Sequence, residues 1–380
     1  MHFSHCLPLL SFFTSCGEDD DPISTDKKII IIGAGIAGLA AAKHFKDKGI
    51  AVVVIEAQEK VGGRLCTDRS LGIAFDEGAS WIHGPDGNPI TSLADSAGAN
   101  TFLTGDDNVA VFDTDGSMYA DSALDTAEAL FDDAIDSLDG NVNENFQDVF
   151  YNAYPQYQND RLWTYMLSAY LEFDAGGDIS NLSSLDFFDD EAYNGDDLII
   201  TNGFDKVADF LAEGIDVRLN TKVAGIDYGD EKIQVTTDQD AFEADFISFE
   251  PALPSRIQNP IDKLKMGAVN KFLCVWDTPF WDTDLQYIGY TAETKGKFNF
   301  FMNMGKFTNA NALMGLTIGD YSKPTEEMTD AQVIADIMNS LKAIYGNSIP
   351  DPTNMLRTKW SSNEFTFGSY SYGYSVIYSG

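Results

Sequence analysis

The sequence has few of the features that would place a chain in a bilayer or on a nucleic acid. No run approaches the ~18 consecutive apolar residues that a membrane span needs. Basic residues are scarce: 24 Lys plus Arg stand against 60 Asp plus Glu, for a net charge of -36. Phosphate backbones and anionic surfaces are held by clustered cations, so this balance argues against nucleic acid as a partner. Cysteine is also sparse. Cys6, Cys16, Cys66 and Cys274 show no CxxC or other metal-ligand spacing and are too few for a disulfide framework. No metal site is expected, and Cys66 and Cys274 read as buried thiols.

Apolar residues make up 44% of the 380 positions and charged residues 22%, enough to build packed cores in two or three domains. The acid surplus suits a cationic small molecule, whose encounter a negative field accelerates. A solubilised surface in a salty or extracellular setting is the plainer reading. Residues 1–16 (MHFSHCLPLLSFFTSC) give way abruptly to GEDDDP. An apolar stretch, small residues and a cysteine at the break resemble a bacterial lipoprotein signal, in which the cysteine becomes lipid-modified. Residues 1–23 are therefore expected to be leader and acidic tether, with Cys16 as the lipid anchor, the only membrane link, and the cell envelope as location. The n-region departs from that pattern by having no Lys or Arg.

Residues 28–32 (KIIII) form a continuous β-branched run, as a strand buried on both faces requires. It runs into Gly33-Ala34-Gly35-Ile36-Ala37-Gly38, then a helical segment stopping at Gly49, then a second apolar strand, 51–55, ending in Glu56. This is a complete βαβ unit with GxGxxG at its first turn. Gly33 permits the tight turn, Gly35 admits a pyrophosphate to the backbone, and Gly38 lets helix and strand pack closely. Ile36 and Ala37 open the helix, whose N-terminus carries partial positive charge toward the phosphates. Glu56 can accept hydrogen bonds from a ribose and would repel a 2′-phosphate.

Two motifs further along the chain narrow the cofactor. Val61-Gly62-Gly63-Arg64 resembles the GGR motif of the flavin amine oxidase and phytoene desaturase superfamily. The stretch from Asp76 to Gly84 (DEGASWIHG) resembles the corresponding segment of polyamine oxidases and histone lysine demethylases. The resemblance implies an α/β architecture: a Rossmann-like FAD-binding domain interleaved with an α+β substrate domain. Its segments would be 24–90, 196–250 and 361–380 for FAD, and 91–195 and 251–360 for substrate. Gly62, Gly63, Gly78, Ala79, Ser80 and Trp81 would then lie along the FAD, with Arg64 supporting its phosphates. Val223 matches the valine whose backbone meets the adenine. His83 falls where animal-type polyamine oxidases place a histidine near the substrate nitrogen. Lys271, in IDKLKMGAVNKFLCVWDTPFW, matches the lysine bridged by water to the flavin N5. Trp360 and Tyr370, in the W…GSYSY pattern, match cofactor-side and amine-holding aromatics. Ser369 stands where monoamine oxidases have a flavin-bonding cysteine, so the FAD is expected to be non-covalent.

Between 88 and 192 the sequence reads as acidic amphipathic helices with interleaved aromatics, among them DSALDTAEALFDDAIDSL and NDRLWTYMLSAYLEFDAGG. Their acids could line a funnel for a polyamine, with no single one marked out. The alternation in VRLNTKVAGIDY and KIQVTT, with a Gly229-Asp230 turn, predicts an antiparallel meander. Two departures stand against the family pattern. About a dozen residues, a strand and its turn, are missing where Phe246 runs into ISFEPALP. The chain also stops at Gly380, before the C-terminal flavin-contacting motif of relatives.

The implied reaction is oxidation of a neutral amine by hydride loss to the flavin. Hydrolysis of the imine then gives an aldehyde, and O₂ is reduced to H₂O₂. The residues expected to carry it are Lys271, His83 and Tyr370. Two other readings remain: a catalytically impaired homologue retaining the nucleotide lobe, and a surface lipoprotein acting only as a binding module. No pattern specifies the oligomeric state.

Overall fold

A computed structural model describes residues 28–105, 108–141, 143–185, 187, 193–227, 233–244 and 264–373. The leader with Cys16, the Gly229-Asp230 turn, the break after Phe246 and the C-terminal end lie outside the described residues. Contacts divide the chain into two compact units, Met1–Glu59 with Gly214–Ser248, and Lys60–Glu213 with Phe249–Gly380. Residues 60–90 and 196–213, which the family pattern assigns to the cofactor domain, thus group with the substrate elements.

The first unit contains the expected βαβ. Strand Lys28–Ile32 pairs in parallel with Ala51–Ile55, from Lys28 opposite Ala51 to Ile32 opposite Ile55. Helix Ile36–Asp47 joins them and buries Leu39 and Ala42. Strand Asp216–Arg218 adds in parallel on the far side of Ala51–Ile55. This differs from the sequence reading in two ways. Lys28–Ile32 is not buried on both faces: its residues are only partly covered and Ile32 is 47% exposed. Among the described residues it pairs on one side only, and Ala51–Ile55 is the inner strand. The alternation beginning at VRL also does not belong wholly to the meander. Asp216–Arg218 joins the parallel sheet, and Asn220, in the left-handed region at φ 53, separates it from the next strand. The meander itself is Val223–Asp227, Ile233–Thr237 and Ala241–Ala244, antiparallel throughout. Ile55, Ile233 and Val235 form the buried centre here, with Val223 packed at its edge.

The second unit is organised by a six-stranded sheet in the order Asn354–Arg357, Asn270–Val275, Ala312–Thr317, Lys297–Asn303, Tyr287–Tyr290, Val109–Phe112. The first five strands pair antiparallel, and Val109–Phe112 closes the edge in parallel. The central strand Ala312–Thr317 is buried along its whole length, so its unbroken ALMGLT run reads as a strand with no solvent face. Helix Asp330–Tyr345 begins with a capping box between Thr329 and Gln332. It buries Val333, Ile337, Met338 and Leu341 in the cluster around Phe272 and Phe298. Both amphipathic segments read from sequence are helical. One is Asp121–Asp136; the other is a continuous helix from Arg161 to Ala175 whose middle, Leu167–Glu172, is wound as a π-helix. Such insertions cost hydrogen-bond geometry and recur where a helix must re-aim side chains at a site.

Candidate active site

In the first unit the glycine turn has the shape its spacing demands. Gly33 has φ +96, and a Cβ at Gly33 or Gly35 would meet nothing within 4 Å, so the backbone there is open to a ligand. Gly38 is different. A Cβ on it would lie 2.1 Å from the Gly33 carbonyl oxygen, so helix and turn can touch only through glycine. The helix starts at Ile36 with no side-chain cap, since Gly35 holds the N-cap position. Among the described residues no side chain caps its first N–H groups, as suits an anion-binding terminus. The buried Glu56 carboxylate accepts from the Ala34 amide at 2.7 Å and the Gln58 amide at 2.8 Å. Two donors leave carboxylate lone pairs for ribose hydroxyls. These residues fit a dinucleotide.

In the second unit the Gly62-Gly63 turn and the segment after Phe75 are clasped together. Thr67–Asp68 pairs antiparallel with Phe75–Asp76, and the Glu77 and Ala79 amides donate to the Cys66 and Arg64 carbonyls at 2.9 and 3.2 Å. A Cβ at Gly78 would fall 1.8 Å from the Arg64 carbonyl oxygen, so the approach of the two segments depends on that glycine. Arg64 donates to the Ser369 carbonyl at 3.1 Å. Trp360 is buried, and its indole donates to the Glu77 carbonyl at 3.2 Å. Cys66 is half-buried and donates its thiol to Glu77 at 2.8 Å. Burial, then the adjacent carboxylate, push that thiol up to about 12, so it stays protonated and unreactive.

Lys271 reaches this clasp from strand Asn270–Val275. Its ammonium is buried and donates to the Asp76 and Gly78 carbonyls at 3.0 and 2.6 Å and to Ser80 Oγ at 2.6 Å. All three donors are met by neutral oxygens, with no carboxylate in contact among the described residues. Burial therefore lowers the lysine to about 8, against a smaller opposing pull from Asp76 and Glu77. Asp76 is buried too, and desolvation raises it to about 6 although Thr67 and the Phe204 amide donate to it. The lysine also lies 5.8 Å from the centre of the Trp81 ring, which ties it to the cavity Trp81 borders.

That cavity, of about 920 Å³, lies wholly within the second unit. Trp81, Tyr287, Phe300, Phe173 and Tyr370 supply apolar walls. Tyr370 is held beside Gly176, where a Cβ would fall 2.2 Å from that of the tyrosine. Carboxylates supply another wall: Asp121, Asp125, Glu128, Asp132 and Asp136 all border the cavity from one helix, joined by Asp174 and Asp197. Their three- and four-residue steps put them on one face of Asp121–Asp136. Tyr165 is buried, borders the same space, and its hydroxyl has no hydrogen-bond partner among the described residues.

His83 also borders the cavity, paired through Nδ1 with Asp197 Oδ2 at 2.6 Å. The other oxygen of Asp197 accepts the Gly84 amide at 3.0 Å. Strand register explains the meeting. Trp81–Ile82 runs antiparallel to Leu198–Ile200 with Ile82 opposite Leu198, so the next residues along, His83 and Asp197, come face to face. Asn88 caps helix Pro89–Ser96 and donates to the His83 carbonyl at 3.0 Å, fixing the turn behind it.

Sequence reasoning named no partner for His83, because Asp197 is 114 residues away. It also did not name Lys295, which bridges the fully buried Glu172 and Asp178. The two carboxylates outweigh burial and hold Lys295 charged, above its ordinary value. The cluster fixes the end of the π-helix, from which Phe173 and Asp174 face the cavity. Thus the second unit brings together His83, Trp81, Tyr370 and, behind Trp81, Lys271. Gly33, Gly35, Gly38, Glu56 and Val223 are in the first unit.

A family profile described as Flavin containing amine oxidoreductase matches residues 36–376. "Probable polyamine oxidase 4" of Arabidopsis thaliana is 27% identical over 382 residues, covering 90% of this chain and 76% of that protein. "Lysine-specific histone demethylase 1 homolog 2" of the same plant is 28% identical over 389 residues, covering 92% of this chain and 52% of that protein. Among solved structures, a putrescine oxidase bound to putrescine superposes with a TM-score of 0.72 at 22% identity, over 92% of this chain and 88% of the other. That likeness establishes the same α/β fold.

Proposed function

Since the chain belongs to the flavin-containing amine oxidoreductases, we propose that it oxidises a polyamine-like cationic amine, with FAD bound non-covalently and O₂ as the terminal acceptor. The observation that carries this reading is the cavity that sets aromatic walls opposite a row of carboxylates on one helix. A monoamine oxidase needs one site for one nitrogen. A row of acids at three- and four-residue steps, rising about 4.5–6 Å each, matches the separation of successive nitrogens in diamines and polyamines. The net change for a secondary amine is R–CH₂–NH–R′ + O₂ + H₂O → R–CHO + H₂N–R′ + H₂O₂.

The flavin, when bound, supplies the two-electron acceptor. The chain's own residues do the rest. Gly33 to Gly38 and Glu56 would hold the nucleotide. Arg64, Gly78 to Trp81, Trp360 and Lys271 are the groups of the second unit that the family pattern assigns to the cofactor. Tyr370, with Phe173, Tyr287 and Phe300 of the cavity wall, holds the carbon chain of the amine against apolar faces, while the carboxylate row binds nitrogens that stay charged. The family pattern gives Lys271 a water that serves the flavin; its three donors are met here by Asp76, Gly78 and Ser80, so it would hold that water only by giving up one of them. On the pattern around Cys16 alone, the protein is proposed to act in the cell envelope.

A second reading, in which nucleotide is held without turnover, is favoured by Lys271, whose three donors are already met within the chain. One experiment separates the two. The purified full chain, reconstituted with FAD, is expected to show flavin absorbance, to release the flavin on acid precipitation, and to form H₂O₂ with putrescine, spermidine or spermine. Flavin absorbance without peroxide from any of these amines would support the second reading. A protein that takes up no flavin would overturn both.

A further inference from the structure

We propose that Asp197 is a positioning residue that turns His83 into the proton acceptor for the substrate amine; the proposal rests on the amine-oxidising reading above. Three observations support it. His83 Nδ1 and Asp197 Oδ2 lie 2.6 Å apart, and a carboxylate is an acceptor only, so Nδ1 carries the proton. Asp197 cannot turn away, because its second oxygen accepts the Gly84 amide at 3.0 Å and its carbonyl accepts the Thr104 hydroxyl at 2.9 Å. The turn is equally fixed on the histidine side. A Cβ on Gly84 would lie 2.1 Å from the Tyr193 carbonyl oxygen, and the Asp86 amide donates to the Asn194 carbonyl at 2.9 Å.

The consequence lies on the opposite edge of the ring. With its proton on Nδ1, the neutral imidazole presents Nε2 as a lone-pair nitrogen, on a side chain that is 76% exposed and borders the cavity. A polyamine arrives as an ammonium, which has no lone pair to support hydride loss. Nε2 takes one proton from that nitrogen, leaving the neutral amine and an imidazolium with both nitrogens protonated. The Asp197 carboxylate balances the new charge. An imidazole without this partner is free to carry its proton on Nε2, where it can only donate. The arrangement obeys the general rule that a carboxylate behind a histidine sets which nitrogen acts.

Asp197→Asn is the decisive variant. Its amide oxygen still accepts from Gly84, which obliges the NH₂ to face His83 Nδ1 and forces the proton to Nε2. The chain has only four histidines, so ring ¹⁵N signals of the full-length protein are resolvable, and His83→Gln assigns the one that matters. The wild type should show a protonated-type Nδ1 and a lone-pair-type Nε2, with Nε2 shifting on addition of spermidine. Asp197→Asn should exchange the two nitrogen types and lower kcat/KM for spermidine roughly 10- to 100-fold. A wild-type His83 with its proton on Nε2, or an exchange of nitrogen types with no change in kcat/KM, would overturn the proposal. If the protein bound spermidine but formed no peroxide, the oxidase reading would fail while the nitrogen assignment was still read directly.

Discussion

Lys271 is charged in a place where burial opposes charge, and that opposition can be measured. Its folded value, lowered to about 8 by desolvation, lies below the ~10.4 of a lysine in an unfolded chain. Between those limits the unfolded state binds more protons than the folded one, so unfolding free energy rises with pH across the window. Below about pH 8 the lysine is charged in both states and the folded state bears the full desolvation cost. Denaturant melts from pH 7.5 to 10.5 should therefore show the wild type gaining stability relative to Lys271→Met. Parallel curves would mean that the lysine titrates normally. The same variant should slow flavin reduction by spermidine far more than it weakens spermidine binding; unchanged reduction would remove Lys271 from the chemistry. Lys271 and His83 could be picked out from sequence because each sits inside a contiguous motif. Asp197 could not, since what joins it to His83 is the register of Trp81–Ile82 against Leu198–Ile200, and register is a tertiary fact. Lys295 was hidden for the same reason: it sits in a turn before strand Lys297–Asn303, and its carboxylates, Glu172 and Asp178, come from a helix and its adjoining loop far along the chain.

Helix Asp121–Asp136 accepts an arrangement that works against its own stability. Asp121, Asp125, Glu128, Asp132 and Asp136 make four successive like-charge neighbours, each costing about 0.2–0.5 kcal/mol in a helix. Acids at its C-terminal end also oppose the helix dipole, and its last turn has no basic residue. Local stability alone does not account for the row, whereas a cationic ligand in the cavity beside it does. Replacing Asp125 and Asp132 with Asn removes a member of every one of the four pairs while leaving Glu128 to accept from Tyr170. The double variant should melt higher than the wild type. Its KM for spermidine should rise about 5- to 10-fold, as expected for losing interactions made equally in ground and transition states, with kcat little changed. A lower melting temperature, or a KM that stays the same, would show that the row is a solvated face only. The helix was readable in its period and its acidity. The cavity it borders was not, because which side of an acidic helix faces a hollow is decided by partners such as Trp163, against which the helix's own Phe131 packs. The first strand, Lys28–Ile32, shows the converse limit. Composition predicted burial on both faces, but face burial is set by what packs over a sheet, and only Ile30 of this strand packs on the cluster of Ile55, Ile233 and Val235.

Across the whole molecule, the interleaving of the two units came from family resemblance, and no local pattern would have given it. Glu213 and Gly214 are adjacent in sequence yet fall in different compact units, with no Pro- or Gly-rich linker to mark the boundary. Charge is the global property that sequence states outright, and it bears on function through the rate of encounter. A net charge of -36 produces a field whose reach depends on salt: the screening length falls from about 30 Å at 0.01 M to about 3 Å at 1 M ionic strength. If that field draws polyamine cations toward the carboxylate-lined cavity, kcat/KM for spermidine should fall by roughly 10-fold or more over this range, while kcat, measured at saturation, stays nearly constant. The slope should track ligand charge, steepest for spermine, weaker for putrescine and weakest for a monoamine. A salt effect of equal size for all three would point to a general change in the protein. No effect on kcat/KM for any of them would mean that the acid surplus serves solubility, the other reading open from composition alone.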